Sequence, residues 1–191
     1  MPIIPDRTAT SLQLDSPMLK IRPATSADVL LVLRLIRELA DYERMPNATV
    51  ATTDNLLRDG WGPEPKFRCV IAEWNDKFTT PEWHTVAFAL FFYNYSTFQG
   101  RPGLYVEDFF VRPAFRRKGI GKALFIHLAK LALSERCGQL QWQVLDWNAP
   151  AIEFYKSLGA HFTQEWLTMR LQSKQLEKLA TDELPPPGNG R

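Results

Sequence analysis

Residues 104–122, LYVEDFFVRPAFRRKGIGK, contain the pattern that decides the fold. The first eight residues are apolar apart from two acids, which predicts a strand over Leu104–Val111. A loop with five basic residues follows, and glycines at positions 119 and 121 stand where an amphipathic helix begins. A strand that leads through a basic, glycine-containing loop into a helix is typical of a site that binds phosphate groups.

Two better-known glycine loops do not match this segment. A P-loop requires Gly in place of Arg116 and Ser or Thr in place of Ala123, and a dinucleotide fingerprint requires Gly in place of Leu124. The remaining pattern, Arg-x-x-Gly-x-Gly, allows backbone N–H groups at the helix start to converge on an anion. We interpret it as a diphosphate site, and a solvated basic helix start remains the alternative.

The rest of the chain predicts an α+β fold with a single domain, in which a mixed, mostly antiparallel twisted sheet is flanked by helices. Alternating or continuous apolar runs predict strands over 19–23, 67–74, 85–95, 104–111, 139–145 and 162–171. Helical spacing and capping residues predict helices over 25–42, 53–59, 119–137 and 148–158. We expect a flexible N-terminal extension over 1–18, a folded domain over 19–181 and a disordered Pro/Gly tail over 182–191.

Composition narrows the class of protein. The 191 residues are 45% hydrophobic and carry 23 basic against 21 acidic side chains, which excludes global disorder and gives no support to a nucleic-acid partner. No apolar run suits a membrane span, and Met1–Met18 lacks the pattern of a secretory signal. Cys69 and Cys137 are too few for a disulfide framework, which fits a reducing compartment, and their spacing does not suit a metal. We therefore expect a cytoplasmic protein without a metal.

Two adjacent acids, Glu107 and Asp108, interrupt the apolar strand. Strict alternation predicts that they point to opposite faces, so that at least one approaches the interior. Burial of a carboxylate raises its pKa towards values useful for a general base, whereas an ion pair with a neighbouring Arg or Lys is the equally open alternative.

Further motifs complete a resemblance. The segment Val144–Lys156 runs from a strand into a helix that Asn148 can cap, and Tyr155 shares the apolar stripe of that helix, which by spacing alone is typical of a core aromatic residue. Taken with Glu107–Val111 and the Arg-x-x-Gly-x-Gly loop, Trp147-Asn148 and Phe154-Tyr155-Lys156-x-x-Gly159-Ala160 resemble the GNAT superfamily of acetyl-CoA-dependent N-acetyltransferases. The likeness runs from Ile21 to about Arg170 and is greatest to the spermidine/spermine (diamine) and thialysine N-acetyltransferases.

The resemblance implies the GNAT fold, acetyl-CoA as co-substrate and no metal. It implies that the loop binds the pyrophosphate and that the preceding strand pairs with the pantetheine arm. The implied cofactor-binding residues are Phe109, Phe110, Val111, Arg116, Arg117, Lys118, Gly119, Ile120, Gly121, Lys122, Asn148 and Tyr155.

The resemblance also implies the catalytic residues. An alkyl ammonium has a pKa near ~10.4, so forming the free amine at pH 7 costs roughly 4 to 5 kcal/mol and a base is useful. Glu107 would accept this proton through a water, and Tyr155 would protonate the departing thiolate. The resemblance further implies a homodimer.

The implied substrate-binding residues are Tyr42, Glu43, Ser96, Thr97, Glu107 and Asp108. Polyamine-preferring relatives carry an acid in place of Ser96, whereas thialysine-type relatives have Tyr-Ser-Thr before an aromatic residue, as here. The implied substrate is therefore a primary amine of a small diamine, polyamine or basic amino acid such as thialysine, lysine or ornithine. Glu38 and Asp41 either attract this cation or belong to a solvated helix face.

Two other functions stay open on the sequence. One is acetylation of a protein N-terminus or lysine, and the other is a non-catalytic acyl-CoA-binding module. The presence of both Glu107 and Tyr155 argues against the second.

Overall fold

A computed structural model describes residues 18–75, 82–163 and 167–182. The chain divides into two compact units, Met1–Ala151 and Ile152–Arg191. The first unit contains a five-stranded sheet with the strands side by side in chain order. Its strands are β1 (Leu19–Pro23), β2 (Arg68–Asn75), β3 (Trp83–Ser96), β4 (Arg101–Val111) and β5 (Gln139–Trp142). Neighbouring strands are antiparallel except for the parallel pair β4–β5, which confirms the predicted mixed, mostly antiparallel sheet.

Five α-helices lie in the described residues. They are α1 (Val29–Tyr42), α2 (Thr53–Trp61), α3 (Ile120–Ser134), α4 (Ala149–Ser157) and α5 (Ser173–Thr181). The boundary between the two units falls within α4, and α5 belongs to the second unit. None of these helices is long and apolar enough to cross a membrane.

Helices cover both faces of the sheet in the first unit. Buried residues of α1 and α2 form one cluster with side chains such as Ile71 and Phe88, and α3 forms the other with their neighbours Ala72 and Ala89. Alternate residues of the central strands thus enter opposite cores, which explains why β2 and β3 read as nearly continuous apolar runs. This two-sided burial confirms the α+β class.

Several predicted element ends differ from the structure, and β4 begins at Arg101, three residues before its predicted start. The second helix continues through Gly60 to Trp61, and a Cβ at position 60 would lie 2.6 Å from the Phe67 ring. Glycine at this position therefore permits close packing and does not end the helix. The third helix ends at Ser134, before Arg136 takes a left-handed φ of 59°, and β5 ends at Trp142.

The predicted strand over 162–171 is wrong for the residues that the structure describes. Residues 161–163 and 167–172 adopt no regular structure, and 164–166 lie outside the described part. Leu167 and Met169 are each 91% exposed, so their alternating pattern is not buried against a sheet. Helix α5, which follows, was not predicted.

The predicted N-terminal extension and C-terminal tail lie largely outside the residues that the structure describes. Among the described residues the first element is β1, which begins at Leu19 where the sequence predicts a strand. Residues 1–17 of the predicted extension and 183–191 of the predicted tail lie outside the described residues, and the boundaries of the folded domain stay a prediction.

Candidate active site

An extra residue in β4 interrupts its pairing with β3. Leu90 lies opposite Asp108, whereas the next residue of β3, Phe91, lies opposite Val106. Glu107 is therefore left without an opposite residue, which is the arrangement of a β-bulge. The bulge falls within the pair of adjacent acids that the sequence singles out.

The bulge places both acids on the same face of the sheet. The side chains that flank them on β4 belong to the core beside α3, namely Leu104, Val106, Phe109 and Val111. The two intervening side chains, Glu107 and Asp108, therefore lie on the opposite face, which α1 covers. The prediction that the acids point to opposite faces is wrong because the extra residue resets the alternation.

The pairing between β4 and β5 ends at the same place. The last pair in the register is Val106 with Trp142, and residues 107–111 have no strand on this side among the described residues. Backbone groups along such an edge can hydrogen bond to an extended ligand. Among them, the Val111 carbonyl already accepts a hydrogen bond from Nε of Arg116 at 3.0 Å.

Three carboxylates form an acidic cluster at the bulge, consisting of Glu43, Glu107 and Asp108. Burial, with a smaller contribution from the charges of Glu107 and Glu43, raises the pKa of Asp108 from an ordinary 3.8 to about 7. Burial also raises the pKa of Glu43, at the end of α1. Glu107 is exposed. The cluster suits a cationic ligand, and Asp108 is the acid that approaches the interior, as expected.

The loop before α3 has the geometry of an anion-binding helix start. Gly119 is the N-cap of α3 with φ +78°, and Arg117 also takes a left-handed φ of +64°. The N–H groups of the first helical turn have no partner within a helix, and the helix dipole adds positive potential there. The side chains of Arg117 and Lys122 are exposed, whereas Ile120 is 1% exposed and anchors the loop to the core.

Five of the predicted site residues meet at the end of α1. The Tyr42 hydroxyl donates to Oδ1 of Asn148 at 3.1 Å, and Asn148 is 7% exposed. The Arg116 guanidinium lies 4.2 Å from the centroid of the Tyr42 ring, and its Nε donates to the Val111 carbonyl at 3.0 Å. The Phe110 ring lies 6.3 Å from that of Tyr42. The side chains of Arg116 and Tyr42 thus contact each other and other groups of the protein.

The predicted residues Ser96 and Thr97 lie elsewhere in the chain's own fold. Ser96 ends β3 opposite Arg101, and its hydroxyl accepts a hydrogen bond from the Gln99 N–H at 3.2 Å. Glu107 follows Arg101 by six residues along β4, a distance of roughly 20 Å at the usual rise of a strand. Within one chain the structure does not bring Ser96 and Thr97 to the acidic cluster.

Tyr155 belongs to the second unit. It is half-buried on α4, and its ring centroid lies 5.4 Å from that of Phe154. The prediction that Tyr155 acts with Glu107 in one site stays a prediction. Among the described residues, no group of three or more His, Cys, Asp and Glu side chains could hold a metal ion.

Sequence reasoning missed two features of the site. One is the bulge. The sequence carries a signal for it, because the apolar residues of β4 that face α3 occupy even positions before Glu107 (Leu104 and Val106) and odd positions after Asp108 (Phe109 and Val111). The other is an ion pair between Arg112 and Glu38, for which the sequence carries no signal, since 74 positions separate the two residues.

Comparison with known proteins gives a consistent result. Residues 33–160 match the family described as acetyltransferase (GNAT) family. Thialysine N-epsilon-acetyltransferase of Bos taurus is 37% identical over 164 residues, which cover 84% of this chain and 96% of the relative. L-ornithine N5-acetyltransferase NATA1 of Arabidopsis thaliana is 30% identical over an aligned region of 215 residues including gaps, and the match covers 92% of each chain. An integron cassette protein of V. cholerae superposes with a TM-score of 0.71 and 26% identity, covering 87% of this chain and 100% of that structure.

Gly119→Ala tests the loop, with Gly100→Ala as a matched control. Both glycines have left-handed φ values, and a Cβ at either position meets no atom within 4 Å. Each substitution should lower the free energy of unfolding by about 1 kcal/mol, because L residues disfavour this conformation. Only Gly119→Ala should weaken coenzyme A binding, by roughly tenfold, as lost alignment of a backbone N–H with a phosphate costs about 1.4 kcal/mol. Calorimetry that finds equal affinities in both variants would contradict the assignment of the loop.

Asp108→Asn tests the burial of the acid. Because the pKa of Asp108 is raised on folding, the folded state loses stability relative to the unfolded state as pH rises from about 4 to about 7. The Asn variant escapes this loss, so its advantage in free energy of unfolding should grow over that range to the order of 3 kcal/mol. Denaturant titrations at several pH values measure the difference, and a pH-independent difference would contradict the predicted burial.

Proposed function

Because the chain belongs to the acetyltransferase (GNAT) family and is an acyltransferase, we propose that it transfers an acetyl group directly from acetyl-CoA to a primary amine of a small diamine, polyamine or basic amino acid. One observation carries the proposal. The bulge at Glu107 brings an acidic cluster next to the part of β4 that extends beyond its pairing with β5, and the same strand leads into an anion-binding helix start.

The residues present fit acetyl-CoA. The first turn of α3 would hold the pyrophosphate through its N–H groups, with Arg117 and Lys122 adding positive charge. The backbone of Phe109 and Val111 would hydrogen bond to the pantetheine arm, and the buried Asn148 borders the same region. When bound, acetyl-CoA supplies a thioester whose carbonyl carbon a neutral amine attacks.

Glu107 is the residue to which we assign the removal of the substrate proton. A substrate ammonium with a pKa near ~10.4 is almost wholly protonated at pH 7, so a positioned base lowers the barrier. Glu107 is exposed at the bulge and can reach this proton through a water. Glu43 and Asp108, on the same face, bind the cation while it is still charged.

Tyr155 is the residue to which we assign protonation of the leaving sulfur. A phenol with a pKa near ~10 can donate to a thiolate whose conjugate acid has a pKa near ~8.5 only with the help of positioning, because the equilibrium is uphill by roughly 2 kcal/mol. A hydrogen bond from the hydroxyl stabilises the developing charge even before the proton moves. No acyl-enzyme is required.

The relatives guide the choice of amine. Their names specify thialysine and L-ornithine, which both carry a primary amine on a side chain with an α-amino acid end. Tyr95–Phe98 has a serine where polyamine-preferring relatives have an acid, which favours such substrates over spermidine. We also propose a homodimer, in which a second copy would supply the residues 96 and 97 that lie far from the acidic cluster.

A panel of amines tests the proposed reaction. The purified protein is incubated with acetyl-CoA and thialysine, lysine, ornithine, putrescine or spermidine, and products are detected by mass. We expect the mono-acetylated product of at least one amine, with a higher kcat/KM for an amino acid than for spermidine. Absence of turnover with every amine would reject the proposal.

Glu107→Gln and Tyr155→Phe test the assigned roles. Tyr93→Phe is the control, because Tyr93 lies opposite Leu104 in the sheet and outside the residues assigned to the site. Glu107→Gln should lower kcat/KM by about 10² to 10⁴, the usual contribution of a general base. Higher pH should partly restore its activity because more amine is neutral. Tyr155→Phe should lower kcat by a similar factor and leave the Kd of acetyl-CoA unchanged. A flat pH response of Glu107→Gln, or full activity of Tyr155→Phe, would contradict the respective role.

A further inference from the structure

Arg112, the first residue after β4, donates four hydrogen bonds to α1 and β3. Nε and Nη2 of Arg112 donate to Oε2 and Oε1 of Glu38, both at 2.7 Å. Nη1 donates to the Thr85 carbonyl at 2.6 Å, and the backbone N–H of Arg112 donates to the Val86 carbonyl at 2.9 Å. The pair is about three-quarters buried for Arg112 and two-thirds buried for Glu38. Helix α1, β3 and the start of the anion-binding loop are thereby joined at one guanidinium.

This ion pair lies next to the contact that Arg116 makes with Tyr42. Glu38 precedes Tyr42 by four residues, so both side chains lie on one face of α1. Arg112 likewise precedes Arg116 by four residues, across the turn Pro113–Phe115. Two successive turns of α1, at Glu38 and at Tyr42, are therefore held by two arginines of the same short loop, and Glu43 comes immediately afterwards.

We propose that Arg112 and Glu38 are positioning residues for the amine, because their ion pair fixes the end of α1 against the loop that holds the cofactor. The inference rests on the proposed function, in which Glu43 binds the substrate ammonium. Neither residue touches the substrate. The pair sets the distance between the carboxylate at the end of α1 and the acids at the bulge of β4.

The charge balance argues against the other role that the sequence left open for Glu38. A carboxylate that accepts two charge-assisted hydrogen bonds from one guanidinium has little potential left to attract an amine. Arg112 is likewise neutralised and adds little to the positive field at the loop. Lysine could not replace it, since an ammonium cannot form the bidentate pair and reach the Thr85 carbonyl with the same geometry.

The two roles predict opposite effects of Arg112→Met. If Glu38 attracts the amine, removal of the guanidinium frees its charge and lowers the KM of the amine. If the pair positions α1, Arg112→Met and Glu38→Gln should each raise the amine KM about tenfold or more, as small misplacements of a binding group do. The double variant should be no worse than either single one, because both remove the same interaction. A lower KM in Arg112→Met, or additive effects, would overturn the proposal.

Arg22→Met separates positioning from a general loss of stability. Arg22 forms a comparable bidentate pair with Asp28, also donates to Glu73, and belongs to β1, outside the contacts described for the site. This variant should lower the melting temperature as much as Arg112→Met does, with the amine KM unchanged. A rise of the KM in Arg22→Met to the level of Arg112→Met would overturn the assignment.

Hydrogen exchange tests the contact without any substrate. In full-length protein, Glu38→Gln should speed amide exchange in residues 39–43 and 112–119 together, with little change in α3. Unchanged exchange in either segment would overturn the proposal. If the wild type acetylates no amine, the proposed function fails on that result, and the exchange data still decide whether the ion pair joins the two segments.

Discussion

The extra residue in β4 is the constraint on which the site depends. An uninterrupted strand would send Glu107 and Asp108 to opposite sides of the sheet, one into the core beside α3. The bulge at Glu107 instead keeps both carboxylates on the side of α1, where the end of that helix adds Glu43. It coincides with the end of the parallel pairing to β5, so the same distortion gathers negative charge and opens a strand edge. In the proposed reaction, the sites for the amine and for the acyl donor would thus have one structural origin.

The basic residues of the loop after β4 differ in what they do. Arg112 is neutralised by Glu38, and Arg116 lies over the Tyr42 ring with its Nε on the Val111 carbonyl. The Lys118 ammonium lies 5.5 Å from the centroid of the Trp74 ring. Arg117 and Lys122 are therefore the cations with the fewest contacts to protein groups. A basic segment that looks uniform in the sequence is thus divided into residues that contact other protein groups and residues whose charge is exposed.

The elements that could be predicted from the sequence are those with local signals. Helical spacing and capping residues located α1 to α4, and apolar runs located all five strands. These signals are local, because the spacing of interior-facing residues repeats within a short stretch of sequence. Element ends were missed where long-range packing decides them, as at Gly60, which permits the Phe67 ring to approach α2. The strand expected over 162–171 had the right alternation, but alternation does not specify a partner. Contacts such as Arg112 with Glu38 depend on tertiary structure alone, and the position of Tyr155 relative to the acids stays a prediction.

Arg117 has a backbone conformation that glycine adopts at little cost and arginine at a cost of roughly 1 kcal/mol. The Arg117 residue therefore makes the folded conformation of the loop less stable and its electrostatic potential more positive. Attraction between such exposed cations and a polyphosphate is screened by dissolved ions over about 10 Å at 0.1 M ionic strength. If the loop binds the acyl donor as proposed, this binding should weaken as the salt concentration rises, and it should do so more than with a glycine at position 117.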